Sequence, residues 1–600
     1  MATHEDNPRI ITSIKGLNRA SRWSDSYDNW LYLGKDINQR ERVESILGAE
    51  SRWILGESLH RVAAELRQPF LDLVADIGQN QSNQIGWWSS TLSWKVWGAS
   101  DLFLLVCYLG LARSVSQEAT SRGNRLMLVV EDFWLLRQFK ENYAGQAIIF
   151  CDSGSSLSKQ KLTGVFQGLL KRVGWLLKSL RNYILQRKAW ASLKTHVPTQ
   201  DSVAIYSYPM GRCLQENGGW QDPFLPQLDL FIQRQGYNVV RFSPPESNGL
   251  EGEIAQRQSY FQPLILCANL GIVWRSLTAF WLPRWRKSMD VDGIPVVRLA
   301  EREWFTELGR SSLCVYRMFY ECLQRMIRVG KWKWIVYPYE NQPWEKMISL
   351  CARPQGIRTL GIQHSALSIF YLSYFLGAGE YDHMPLPDLI LTSGPYPHRL
   401  LKEGGNPIER LKMCGSIRYN HLTKSGREEP LASLDTLSSS DILVALPIDI
   451  HMTRHLLSAI RHAFPDGGQK DGLRFHIKTH PICPIRPSDV GFAAVEAHTD
   501  IYKAFLNCGL VIFVGSTVGP EAVALGLKVL RYRPELLLDV DPAEVFGDDI
   551  PTGNDGNIRE AVLQLARNNQ DRTANEAARS AVGQVFAPLN QELLAEIFHR

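Results

Sequence analysis

Leu510-Val511-Ile512-Phe513-Val514 runs straight into Gly515-Ser516-Thr517-Val518-Gly519-Pro520-Glu521-Ala522. Five apolar residues stopped by glycine read as a buried strand. Pro520 suits the first turn of a helix, where its missing N–H costs nothing. The helix is expected over 520–525 and the next strand over 528–531. Strand, glycine turn, helix, strand is the repeating unit of a parallel sheet with crossover helices. Sheets of this kind bind ligands beyond the carboxyl ends of their strands.

The same alternation continues upstream. A strand is expected over 442–446, a helix over 451–464, a strand over 474–478 and a helix over 500–507. Together these make a Rossmann-like unit over 441–556. A polar, serine-rich stretch, 428–440, reads as a linker. Before it lies a second alternating unit, 201–427. Its strands are expected at 203–206, 237–242, 334–337, 358–362, 389–392 and 411–414, with Pro338 stopping the third. Helices are expected at 225–234, 344–352 and 396–403. Residues 557–600 read as C-terminal helices. Residues 1–200 form an α-rich region: 1–115 reads as helical, and 126–130 and 147–150 as short strands.

Six hundred residues exceed one ordinary core, so several domains are expected. A net charge of +5 over that length gives no reason to expect nucleic-acid binding. Ten singly scattered cysteines fit reduced thiols rather than a disulfide framework or a zinc site. The first 15 residues are too polar for a secretory signal. Residues 102–112 are too few to cross a bilayer, and 360–379 carries Gln363, His364, serines and glycines, so no membrane span is expected. From Ser153 to Gln200 there is no acidic residue but nine Lys or Arg. Leu169, Val173, Leu176, Leu177, Leu180 and Ile184 recur there at helical spacing. The basic amphipathic segment 159–194 is therefore either a surface helix over a core or one lying on an anionic membrane.

Four groups of residues carry chemistry. Gly515, Ser516 and Thr517 place hydroxyls and N–H groups at a helix N-terminus, which suits a phosphate or a plain N-cap; Glu521 follows in the first turn. Lys478, His480 and Pro481 end a parallel strand on the ligand-binding edge. Glu340, Asn341 and Glu345, followed by Gln363, His364 and Ser365, end two strands of the earlier unit. Carboxylates and a His there are candidates for acid–base work; Glu345 could equally be a favourable first-turn acid. Asp222 precedes Pro223 and reads as a base or as an Asx turn. No DxD pair marks a strand end, so no metal is expected. Asp539-Val540-Asp541 has the spacing but reads as a surface turn.

His480-Pro481 and Ser516-Thr517, in this order and spacing, resemble motifs of bacterial GT-B glycosyltransferases, such as the Kdo transferases and bacterial sialyltransferases of capsule and lipopolysaccharide synthesis. Residues 334–365 also resemble surface-carbohydrate biosynthesis proteins. The resemblance spans about 203–550. It implies a GT-B-like α/β fold: two Rossmann-like domains facing across a cleft, with a mostly helical N-terminal extension. It further implies a transferase that moves a sugar from a nucleotide-sugar donor, CMP-linked in those families, to a surface glycan or lipid-linked acceptor. Lys478, His480, Ser516 and Thr517 would hold the donor phosphate, Glu521 would bind a ribose hydroxyl or fix the helix entrance, and Glu340 or Asp222 would be the base. The nucleotide-sugar is a substrate, and no cofactor is expected. The paired acidic-glycine motif of many sialyltransferases has no clear copy here, which leaves the base and the nucleotide open. Rival readings are a nucleotide-sugar epimerase and a non-catalytic scaffold of a polysaccharide assembly complex. The expected location is cytoplasmic, at the inner face of the membrane if the basic segment docks there.

Overall fold

The computed structural model describes residues 8, 10–17, 26–81, 83–151, 157–189, 197–209, 220–245, 254–255, 260–281, 284, 289–308, 310–423, 438–567 and 572–599. Most of the linker expected at 428–440, and the end of the basic segment at 190–194, lie outside these residues.

Three parallel sheets organise the chain. The first holds β1 (Ile10–Ser13), β2 (Asn29–Leu33), β3 (Leu126–Val130) and β4 (Ile149–Cys151), in the order β2-β3-β1-β4. The second begins with β5 (Ser202–Tyr206), β6 (Asn238–Ser243) and β7 (Phe261–Pro263). A small antiparallel ribbon, β8 (Asp290–Val291) and β9 (Ile294–Pro295), interrupts it. The second sheet then adds β10 (Trp332–Tyr339), β11 (Arg358–Gln363), β12 (Leu389–Thr392) and β13 (Leu411–Met413), in the order β13-β12-β11-β10-β5-β6-β7. The third holds β14 (Asp441–Ala445), β15 (Arg474–Lys478), β16 (Val495–Glu496), β17 (Leu510–Phe513), β18 (Lys528–Tyr532) and β19 (Thr552–Gly553), in the order β16-β15-β14-β17-β18-β19. The second and third sheets are doubly wound, each starting at its centre, running to one edge and returning to the other. Two Rossmann-like domains in a GT-B-like arrangement are the result.

The alternation signal places β5, β6, β10, β11, β12, β13, β14, β15, β17 and β18 because each is bounded by glycine, proline or a helix. It does not place the edge strands β7, β16 and β19, which are two or three residues long and too short to show a pattern, and it misses β1 and β2, which fall inside the expected helical front. Both are short and buried (Trp30 is 0% exposed), so they show no alternation. Their partner β3 lies far along the chain: Met127 pairs with both Ile10 and Trp30. Pro338 does not end β10 either; it pairs with Ile362, while pairing with β5 has already ended at Val336↔Ile205. A residue without an N–H is tolerated where one neighbour has dropped away. Residues 360–379 are the end of β11 and the loop beyond it. No helix among the described residues is long and apolar enough to cross a membrane.

The front unit is wedged against both Rossmann-like units. Toward the third sheet, the Tyr108 hydroxyl donates to Leu536 O at 2.6 Å, and Arg40 pairs with Asp555 at 2.5 Å. Toward the second, two buried lysines make the joint. Lys95 Nζ meets Glu380 at 2.7 Å and Phe375 O at 2.8 Å. Lys346 Nζ donates to Ser93 O at 3.0 Å and lies over the Trp88 ring. The C-terminal helix Gln591–His599 returns to the second sheet, where Phe598 packs on Trp334 and its carbonyl accepts the Tyr237 hydroxyl at 2.6 Å.

Burial, reinforced by Lys95, pulls the Lys346 ammonium down to about 7. The unfolded chain therefore holds this proton over a range where the folded chain has lost it, and that difference favours folding as pH rises from about 7 toward 10.5. Relative to the parent, Lys346→Met should flatten this rise in Tm, measured by thermal melts across that range.

Candidate active site

In the second sheet the strand order reverses between β5 and β10, and in the third between β14 and β17. Loops leaving the carboxyl ends of these strands are where such sheets bind ligands. Glu340 leaves β10 and Gly515-Ser516-Thr517 leaves β17, so both expected motifs start from a switch point.

Glu340 is presented by a strained turn. Asn341 takes the left-handed conformation at φ 54, uncommon for a residue with a Cβ. The Glu345 carboxyl compensates by accepting the N–H of Glu340 (3.0 and 3.1 Å) and of Asn341 (2.8 Å). Asn341 Nδ2 donates to Ser373 O at 2.7 Å. Glu345 and Asn341 are 1% exposed, whereas the Glu340 side chain remains 34% exposed. The Glu340 carboxyl lies 3.5 Å from His364 Nε2 and accepts a hydrogen bond from Gln342. Burial raises both carboxyls above the usual range, and at Glu345 the Glu340 charge adds to it. Burial and then Arg418 pull His364 well below its ordinary value, so it is neutral near pH 7.

At the third sheet, Lys478 and Phe513 both stand in register with Ala445. The strand ends carrying the two expected phosphate motifs are thus separated by two strand spacings, roughly 9.6 Å. Ser516 Oγ accepts the Val518 N–H at 3.2 Å, one residue ahead of the N-cap position Thr517, whose side chain makes no cap hydrogen bond. Thr517 Oγ1 donates to Glu521 at 3.1 Å and accepts from the Tyr419 hydroxyl at 3.4 Å. The Tyr502 hydroxyl donates to the other Glu521 oxygen at 3.1 Å. Gly515, at φ 53, presses on Met452: a Cβ there would meet its Sδ at 3.1 Å. Lys478 Nζ donates to Thr479 O at 3.1 Å, and His480 Nδ1 accepts the Ile482 N–H at 3.2 Å. Pro481 is exposed beside them.

Between the two edges stands Arg418, on the segment crossing from β13 to the third sheet. Its guanidinium stacks over Tyr419 at 4.7 Å and Phe224 at 5.3 Å. Burial opposes its charge, but Tyr419, Glu521, Tyr502 and Glu340 outweigh that and hold it protonated. Among the described residues it has no hydrogen-bond or ion-pair partner. In the sequence the nearest pointer to Arg418 is the strand-end Gly415 three residues before it; the structure shows why a glycine stands there, since it takes the left-handed conformation (φ 85) and a Cβ would strike Pro588 O. Tyr371 joins the cleft's far end: burial holds its hydroxyl well above the ordinary range, helped by Glu340, Asp541 and Asp539. Beside it opens a cavity of about 390 Å³, lined by His60 and Arg61 of the front unit and by Arg531, Arg533, Asp539 and Asp541.

Several expectations change. Asp222 is fully engaged: Oδ2 accepts from Ser207 (2.8 Å) and Arg241 (2.7 Å), and Oδ1 from the N–H groups of Phe224 and Leu225 (both 2.9 Å). With its acceptor positions filled it is a structural ion pair and not a base. Glu345 holds the turn from beneath and does not face the cleft. Gln363 is buried, accepting the Ser393 N–H at 2.8 Å and donating to Ser365 O. Ser365 Oγ lies 3.3 Å from the Tyr374 hydroxyl. Asp539 and Asp541 are no surface turn: they are 4% and 2% exposed beside Arg531 and Arg533. The spacing of two aspartates carries no record of the arginines that make their burial affordable.

Comparison of the sequence with family models and with curated proteins gives no match. Among solved structures, the chain is similar to the UDP-GlcNAc 2-epimerase of Neisseria meningitidis bound to UDP-GlcNAc, at 12% identity over 67% of this chain and 98% of that one, with a TM-score of 0.39. It is also similar to the glycotransferase of kitacinnamycin, at 13% identity over 68% and 99%, TM-score 0.38. A third is MurG of Acinetobacter baumannii, at 12% identity over 67% and 99%, TM-score 0.35.

Two substitutions separate framework from site. Asp222→Ala leaves the Arg241 cation with Asp229 alone (3.2 Å) and removes the acceptor of the Phe224 and Leu225 N–H groups, and should cost about 1–3 kcal/mol in urea unfolding. Glu345→Ala, which frees the strained turn, should cost about 1–3 kcal/mol, whereas Glu340→Gln should leave stability within about 0.5 kcal/mol of the parent, as a partly exposed isostere does.

Proposed function

We propose that the chain is a glycosyltransferase moving a sugar from a nucleotide-sugar donor to a surface glycan or lipid-linked acceptor. The observation that carries this reading is Arg418, a cation with no hydrogen-bond or ion-pair partner among the described residues, standing between two switch points with a carboxyl of raised affinity for protons on one side. In the reaction, the bond between the sugar's anomeric carbon and the donor phosphate oxygen breaks, and the acceptor hydroxyl oxygen takes its place on that carbon. Glu340 receives the hydroxyl proton. Arg418 offsets the charge on the departing phosphate, with the N–H groups opening the helix Val518–Leu525 beside it. Lys478 and His480, at the strand end two spacings away, reach the nucleotide side, and the Tyr502–Glu521–Thr517 network holds the loop. The mixed carboxyl and guanidinium lining of the cavity beside Tyr371 suits sugar hydroxyls, which both donate and accept.

A thermal-shift series with CMP-, UDP- and GDP-sugars tests the reading. One nucleotide class should raise Tm, and Arg418→Ala should weaken it by about 30-fold or more, the usual loss when one member of a buried charge contact is removed. Stabilisation by none of them would instead favour a scaffold. A bound sugar isomerised in the absence of acceptor would overturn transfer in favour of an epimerase.

The base role has its own signature. Because burial raises the Glu340 carboxyl, the ionised form, and with it kcat/KM, is lost on acidification at a pH above the usual glutamate range. Glu340→Gln should lower kcat by about 10²–10⁴-fold and abolish that acidic limb, with nucleotide affinity retained.

A further inference from the structure

The helix Leu157–Ala189 has two apolar sides, and only one is used by the fold. On one side Trp175, Ser179 and Tyr183 are 5–8% exposed, and the helix packs there on Leu270–Leu277 and Val297–Leu308. Arg172 fastens this side by donating to Ala279 O at 3.2 Å. On the other side Leu162, Phe166, Leu169, Leu170, Val173, Leu177 and Ile184 stand 51–72% exposed. At about 100° per residue these seven fall within one arc roughly 100° wide. The adjoining arc carries Lys171, Lys178 and Arg181, all exposed. The neighbouring helix adds Leu270 and Trp274, at 62% and 64%.

A continuous stripe of large apolar side chains in water is costly, and scattered exposed residues do not account for it. Its flank identifies what covers it. No acidic residue occurs between Ser153 and Gln200, so a second copy of this helix would bring cations against cations. An anionic bilayer offers both what the stripe needs and what the flank attracts. We propose that this helix lies in the plane of an anionic membrane surface, its Leu162–Ile184 stripe in the acyl boundary and Lys171, Lys178 and Arg181 among the headgroups. The helix docks and does not span, because Lys171, Arg172, Lys178 and Arg181 interrupt its middle and leave no apolar stretch long enough to cross a bilayer. Docking is independent of the proposed transfer chemistry; if that reading also holds, the cleft is carried to where a lipid-linked acceptor resides.

Flotation of the full chain with phosphatidylcholine vesicles, with and without phosphatidylserine, tests this. The protein should float with the phosphatidylserine vesicles, and added salt should release it. Lys171→Glu/Lys178→Glu/Arg181→Glu should weaken binding by about 100-fold or more, at about tenfold or a little less for each cation lost. Phe166→Ser/Leu169→Ser/Leu177→Ser should abolish it. All six side chains are exposed, so both variants should keep the parent Tm and its nucleotide response, which separates this proposal from the transfer reading. Absence of flotation, or flotation unchanged in both variants, overturns it. So does a concentration-dependent dimer that the apolar variant dissolves, since a second copy would then be the cover.

Discussion

The cleft rests on a carboxyl group that faces away from it. Glu345 gathers the backbone N–H groups of Glu340 and Asn341, and in doing so holds Asn341 in a left-handed turn that its side chain alone would disfavour. Glu340 is then set at the switch point, within reach of His364 and opposite Arg418. The same clamp brings the Glu340 charge close to the buried Glu345, where it adds to burial in raising the Glu345 carboxyl.

Arg418 is the complement. A half-buried guanidinium is usually paired; among the described residues this one is stacked on two rings and balanced by charges at a distance. The front unit adds a third wall. Its contacts with both Rossmann-like units, through Lys95 and Lys346 on one side and Tyr108, Arg40 and His60 on the other, add a third link between them. His60 shows how closely it is built in. Its Nε2 accepts the Asp539 N–H at 2.9 Å, and burial with two nearby arginines pulls its imidazole down to about 3, so it stays neutral among charges.

Legibility in the sequence followed the range of the forces involved. Strands 203–206 and 510–514 are apolar runs closed by glycine or proline, and their ends were marked by residues with special backbone needs. Glu340, Ser516 and Thr517 could be singled out because strand ends are local features. Asp222 and Gln363 looked similar in one dimension, yet their partners, Arg241, Ser207 and Ser393, make them framework. Arg418 had no motif around it, since its rings and charges come from three separate parts of the chain.

What the sequence by itself determined is the alternating α/β plan, the two switch-point loops and the acid-free basic helix, because each arises from periodicity, turn chemistry or composition within a few dozen residues. Only the tertiary structure decided which carboxyl faces the cleft and which supports it, that the front region carries a sheet and walls the site, and which side of the basic helix remains uncovered. Those outcomes depend on hydrogen bonds and burial between residues hundreds of positions apart, and no local pattern encodes which of several chemically equivalent groups will find a partner.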